Sequence, residues 1–338
     1  MIFMNNPILV YRGNYVESTH EIHVAVVNKE GKLIYSYGDP TRMTFPRSSM
    51  KPFQAIPIIE TGAAKALAFT QAELAITCAS HAGEAEHRET VLHLLSKMGL
   101  QEEHLQCGTH LPWDLTSYKS LLREGKDVTP IFSNCSGKHS GMLATAVYMK
   151  EEIDTYREIE HPVQQRILKA IEKVCSFKKE AINLSVDGCG VPVHQLPLYN
   201  VALGYARLAS PDQYDSAYVE ILREIRDSMM KFPHMVGGTR RFDTDLMNVY
   251  QNRIVSKTGA EAVQCMGLVE EGYGIAIKVE DGSTRAVNVA SMEVLRQLGY
   301  KDEKLFNELA KYVQAPVLNA RREEIGKIIP QFTLKVHT

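Results

Sequence analysis

A chain of 338 residues that is 44% hydrophobic can bury one large core or two modest ones, which excludes a disordered protein. Thirty-eight basic residues face 40 acidic ones, a formal net charge of -2 with no basic block, so nucleic acid is not an expected partner. The N-terminal stretch MIFMNNPILVYRGNY lacks the basic start, apolar run and cleavage site of a leader, and no later segment approaches the roughly 20 apolar residues of a membrane span; the expectation is a soluble, cytoplasmic protein.

Along the chain, Ile22, Val24 and Val26 alternate with Glu21, His23 and Ala25. Asn28 to Gly31 then turns and Lys32 to Tyr37 returns, which predicts a hairpin. From Ser48 to Leu100 the period becomes helical, with Phe53, Ile56 and Ile59, then Val91, Leu94, Leu95 and Met98, and with Gly62 and Gly99 at helix stops. Further helices are predicted after Gly137, from Pro162 onward, and over Tyr214 to Met230. Strands return at Val263 to Leu268 and Gly274 to Val279, followed by helices around Ala286 to Leu298 and Asp302 to Tyr312. Strands at both ends with helices between them predict an α+β fold: one antiparallel sheet from N- and C-terminal segments, in a single domain over 1–338 with a mainly helical region inserted at roughly 48–250.

The chemistry-bearing residues fall in short runs. Ser48-Ser49-Met50-Lys51 lies between Pro46 and Pro52, so a helix should begin there with Ser48 and Lys51 one turn apart on the same face. A serine hydroxyl needs a base, and a lysine serves if burial or a neighbouring cation lowers its pKa. The spacing alone is weak evidence, because Ser176 to Lys179 and Ser228 to Lys231 repeat it. Lys257-Thr258-Gly259 strengthens the first match, since serine β-lactamases and penicillin-binding proteins combine the two motifs; the bland alternative for Lys257 is a solvated lysine at the start of a strand. Ser80, among small residues in CASHAGEAEH, is a proton relay between the lysines or a helix cap. His81 and His87 are six apart, off the helical ligand spacing, and read as surface or structural histidines.

Ser133 to Met142 packs polar, small and thiol groups before an apolar helix and reads as site lining. Asp187-Gly188-Cys189-Gly190 puts a carboxylate and a thiol in a glycine-rich loop at a strand end. Cys189 as nucleophile, with His194 or Asp187, is the competing reading. The six cysteines form no CxxC pair, so any metal site must be assembled from distant segments.

RSSMKPFQA, CASHAGEAEH, CGTHLPWD, NCSGKHSGML, DGCGVPVH and KTGAEAVQCMG occur in that order from residue 47 to 267. Together they resemble the rhizobial-type, or class 3, L-asparaginases of the thermolabile asparaginase II group. The resemblance implies a serine β-lactamase-like fold, a homodimer, L-asparagine as substrate, and two Ser-Lys pairs, Ser48 with Lys51 and Ser80 with Lys257. It also implies a zinc ion near Cys135, Lys138 and Cys189 that serves substrate binding rather than forming the nucleophile. Arg47, Asn134, Asp187 and Asp243 are the candidate substrate contacts; Asp187 would hold the α-ammonium group, and Asp243 stands where some members carry a further cysteine. The rivals are a serine-dependent glutaminase, a β-lactamase-type hydrolase, and a non-catalytic regulator that binds zinc or an amino acid.

Overall fold

Residues 7–338 are described by the computed structural model; the first six, part of the stretch read above for a leader, lie outside the described residues. The predicted hairpin forms from Ile22–Asn28 and Leu33–Tyr37, with Val24 opposite Tyr37 and Val26 opposite Tyr35. Ile22–Asn28 also pairs antiparallel with Tyr273–Val279, so the two ends of the chain meet in one sheet. That sheet runs Lys335–Val336, Leu33–Tyr37, Ile22–Asn28, Tyr273–Val279, Val263–Leu268, Ile254–Gly259, and is antiparallel throughout. The fold is α+β, as expected.

Helix Leu198–Ala209 packs against Ile22–Asn28 and Tyr273–Val279 from one side, and helix Thr284–Gln297 packs against Tyr273–Val279 from the other. Both faces of the central strands are therefore covered, and Val263–Leu268 is buried along its whole length. Leu198–Ala209 escaped the periodicity reading because it is apolar almost all round, the mark of a helix buried on every side.

Three elements were not expected. A second sheet joins Pro316–Leu318, Glu324–Pro330, Ile8–Arg12 and Tyr15–His20. A small three-stranded sheet of Met43–Thr44, Pro192–Pro197 and Asn183–Val186 interrupts the region read as helical; of its strands only Asn183–Val186, which ends just before Asp187, was expected. The segment carrying Lys257 is itself a strand, Ile254–Gly259, at the edge of the large sheet.

Within the helical region, Ser136–Met149 packs against Gln71–Thr77. A Cβ added to Gly137 would lie 2.2 Å from the carbonyl oxygen of Ile76, so this crossing requires glycine. Part of the small-residue run 133–142 thus serves helix packing. Among the described residues no helix is long and apolar enough to cross a membrane.

Candidate active site

Arg47–Met50 forms a turn of 3-10 helix that runs directly into helix Lys51–Gln54, with Pro52 in its first turn. The backbone N–H of Lys51 donates to the carbonyl of Ser48. Arg47 enters the turn at φ 53°, a left-handed conformation that is uncommon for a residue with a side chain. Two hydrogen bonds secure the segment from outside: Ser49 Oγ donates to the Lys257 carbonyl at 3.0 Å, and Tyr205 Oη donates to the Ser49 carbonyl at 2.7 Å. A Cβ on Gly259 would fall 2.2 Å from the Pro46 carbonyl oxygen. The glycine of the KTG run therefore lets its strand lie against the serine-lysine turn.

Lys51 and Lys257 are both fully buried. Lys51 Nζ donates to Ser80 Oγ at 3.1 Å, to the Asn134 carbonyl at 3.3 Å, and to the Ala79 carbonyl. Lys257 Nζ donates to Ser80 Oγ at 3.1 Å and to the Thr258 carbonyl at 2.7 Å. Ser80 thus joins the two lysines. It does not cap the following helix, which starts at Ala85 and is capped by Glu84 with His87. The solvated reading of Lys257 is overturned by its burial. Ser48 Oγ makes no hydrogen bond to Lys51 Nζ, and among the described residues neither its hydroxyl nor its backbone N–H donates to a protein group.

Burial pushes Lys257 down to about 8; the Asp243 carboxylate opposes this and the Lys51 ammonium reinforces it. Asp243 lies 3.8 Å from Lys257 Nζ, and its own oxygens are occupied. Oδ1 accepts from Ser256 Oγ at 2.7 Å and from Gln264 Nε2 at 3.1 Å, and Oδ2 accepts from the Thr258 N–H at 2.8 Å. Asp243 therefore ties down the KTG strand, and it also lines the cleft, where the sequence reading had it as a substrate contact. Ser256 and Gln264 were missed; their signal was a polar residue inside each of two otherwise buried strands.

A second cluster lies one residue beyond Asn134. Cys135 caps helix Ser136–Met149, Lys138 follows one turn on, and Cys189 arrives from the loop after Asn183–Val186. Lys138 Nζ stands 2.9 Å from Cys189 Sγ. The hydrogen bond from the Cys135 thiol, with the Lys138 charge, holds Cys189 down at about 4 against its burial. Cys135, the donor to that thiolate, is pushed up to about 12. Burial works against the Lys138 charge, but the two thiol groups and Asp187 outweigh it and hold the ammonium above its ordinary value. Two sulfurs and one amine converging from two segments form a donor set that suits zinc, provided Lys138 gives up its proton. Beside this cluster, Arg47 Nε pairs with Asp187 Oδ1 at 2.7 Å. Burial raises Asp187, and the Lys138 and Arg47 cations more than offset it, so the carboxylate sits below its ordinary range.

Ser48, Ser80, Asn134 and Lys257 line one cleft of about 630 Å³, whose outer wall includes Trp113, Arg241 and Tyr312. Arg47, Asp187 and Cys189 do not line that cleft; Arg47 precedes Ser48 in the chain and bonds Asp187.

The chain matches the L-asparaginase II family over residues 8–330. It belongs to that family. The protein is accordingly an L-asparaginase, an amidohydrolase acting on a linear amide. No curated protein sequence matches it. Among solved structures, a β-lactamase from Mycobacterium bovis is similar, with 14% identity, coverage of 82% of this chain and 94% of that chain, and a TM-score of 0.41.

The remaining candidates of this asparaginase separate on burial. Lys179 and Lys231, from the two other serine-lysine spacings, are exposed, and Lys231 bonds Gln71. His194 is buried with neither ring nitrogen hydrogen-bonded, and burial lowers it to about 4. It makes no hydrogen bond to Cys189 and does not supply the base that a cysteine nucleophile would need. His81 and His87 are fully buried rather than on the surface. His81 bonds Ser136 Oγ at 2.8 Å, and His87 bonds the His234 carbonyl at 2.9 Å and the Glu84 N–H at 3.2 Å. Glu84, His87 and His234 bring ligand atoms within 4.8 Å of one another, but both ring nitrogens of His87 are already engaged.

Proposed function

We propose that this asparaginase hydrolyses L-asparagine to aspartate and ammonia through an acyl-enzyme on Ser48. The observation that carries this reading is the Lys51–Ser80–Lys257 chain, two buried amines sharing one hydroxyl at the wall of the cleft that Ser48 faces. Lys51 takes the hydroxyl proton as the Ser48 oxygen adds to the side-chain amide carbon. The N–H of Ser48, which bonds no protein group among the described residues, is the proposed oxyanion donor. Lys257, charged below about pH 8, returns a proton through Ser80 to the leaving nitrogen as the C–N bond breaks. Water then enters the space vacated by ammonia and cleaves the ester.

Arg47 and Asp187 offer a guanidinium and a carboxylate side by side, a match for the α-carboxylate and α-ammonium of the substrate. Asn134 anchors Lys51 through its carbonyl while it lines the cleft. Zinc held by Cys135, Lys138 and Cys189 would supply a fixed positive charge beside that anchor. The same reading includes a homodimer working in the cytoplasm.

The test is ammonia release from L-asparagine and L-glutamine by wild type and Ser48→Ala, with and without a chelator. Loss of asparagine turnover in the variant, with only a weakened KM under chelation, is the expected result. Survival of turnover in Ser48→Ala would redirect the chemistry to Cys189 or to a metal-activated water.

A further inference from the structure

The groups that handle the leaving nitrogen open onto a space far larger than ammonia. Ser80 and Lys257 line the cleft of about 630 Å³, whereas the amino-acid anchor Arg47–Asp187 stands outside it. Ammonia is about the size of a water molecule, whose share of liquid volume is about 30 Å³. The cleft would hold roughly twenty such molecules, and it falls in the range that admits ligands of a dozen or more heavy atoms.

The outer wall has a definite chemistry. Arg241 lies over the Trp113 ring at 4.4 Å, and His110 stacks on the same ring at 5.7 Å. Among the described residues neither Arg240 nor Arg241 has a carboxylate or hydrogen-bond acceptor for its guanidinium. Of the other ionic groups of the wall, Arg285 bonds His20 and Ser18, Asp243 accepts from Ser256 and Thr258, and Lys257 bonds Ser80 and the Thr258 carbonyl. Glu261 is the acidic group left on this wall. Two arginines without acceptors, one braced on an indole, make a receptor for a carboxylate carried beside an apolar group.

We propose that this cleft is a leaving-group subsite and that the enzyme also hydrolyses β-aspartyl dipeptides, releasing an amino acid whose α-carboxylate binds Arg240 and Arg241. The inference rests on the acyl-enzyme reading of Ser48. In such a substrate the aspartyl half keeps its free α-groups for Arg47 and Asp187, and the scissile bond remains a side-chain amide. The amide C–N bond breaks as the Ser48 ester forms, and the departing α-amino nitrogen takes the proton from Lys257 through Ser80. Water then hydrolyses the ester, so one water is consumed and aspartate and one amino acid are released. Trp113 and Tyr312 favour an apolar side chain on that amino acid.

The experiment compares kcat/KM for β-aspartyl-leucine, β-aspartyl-leucinamide and L-asparagine in wild type, Arg241→Gln and the Arg240→Gln/Arg241→Gln double variant. The readout is the ratio of each leucine substrate to asparagine within one protein, which cancels any general change in folding or in Lys257. The expected result is leucine release by wild type, a dipeptide ratio that falls about tenfold in Arg241→Gln and further in the double variant, and an amide ratio that stays within twofold. Normal asparagine turnover with no release of leucine would overturn the inference and leave the asparaginase reading standing. Leucine release with a ratio that ignores both arginines would overturn the assigned subsite. Failure on all three substrates would bring down the Ser48 reading and this inference with it.

Discussion

Lys257 and Lys138 are both buried lysines, yet their charges are set in opposite directions. Lys257 has a hydroxyl, a carbonyl and a carboxylate 3.8 Å away, with a second ammonium sharing its serine, and burial wins. Lys138 has a thiolate at 2.9 Å, and the thiolate wins. The first arrangement leaves an amine that can gain and lose a proton near neutral pH; the second leaves an ion pair that only a competing cation would disrupt. Burial alone therefore does not make a lysine catalytic, and the partner at contact distance decides.

The largest effect is expected from Lys257→Met, which removes the proposed proton donor for the leaving nitrogen. Turnover of asparagine should fall by about 10² to 10⁴-fold with KM little changed, measured by ammonia release. Lys138→Met should do the reverse. It should lower the zinc content of the purified protein and raise KM about tenfold, with kcat within a few-fold of wild type. A Lys138→Met enzyme with collapsed kcat and unchanged KM would erase the contrast between the two lysines.

A subtler effect follows from Asp243→Asn. The carboxylate supports the Lys257 charge, so its loss lowers the Lys257 pKa below about 8. Because the ammonium form delivers the proton, kcat/KM should decline above pH 8 in wild type and at a lower pH in the variant. An unmoved decline would remove Asp243 from the mechanism. The same shift bears on stability: the folded pKa of Lys257 lies below its ordinary 10.5, so burying the charge opposes folding fully below pH 8. That opposition fades as pH rises from 8 to 10.5, and thermal melts of wild type against Lys257→Met should converge in that window. The smallest effect is Lys231→Ala, which alters an exposed serine-lysine spacing and should leave kcat/KM within twofold.

Much of the site was legible because its groups come in contiguous runs. Ser48 and Lys51, Cys135 and Lys138, and Asp187 and Cys189 are each neighbours in sequence, and each pair is delivered by one local turn. Gly259 was legible as part of a motif, although its reason, the carbonyl of Pro46 pressed against it, was not. Asp243 was placed at the site, where it lines the cleft, but its second task was not legible, because nothing local shows that Ser256, Thr258 and Gln264 bond its oxygens. Trp113 and Arg241 were not linked at all; they lie 128 positions apart and meet only across the cleft.

By itself the sequence determined the α+β pattern, the hairpin and late strands, and most of the residues of the candidate site. Hydrophobic period and motif spacing are local properties that survive in a single chain. Only the tertiary structure decided that Ser80 stands between two lysines, that one buried amine is neutralised readily while the other is locked in an ion pair, and that Ser80 and Lys257 open onto a cleft lined by Arg240 and Arg241. Those outcomes depend on distances of about 3 Å between residues far apart in the chain, where desolvation and contact charges, rather than residue type, set the chemistry.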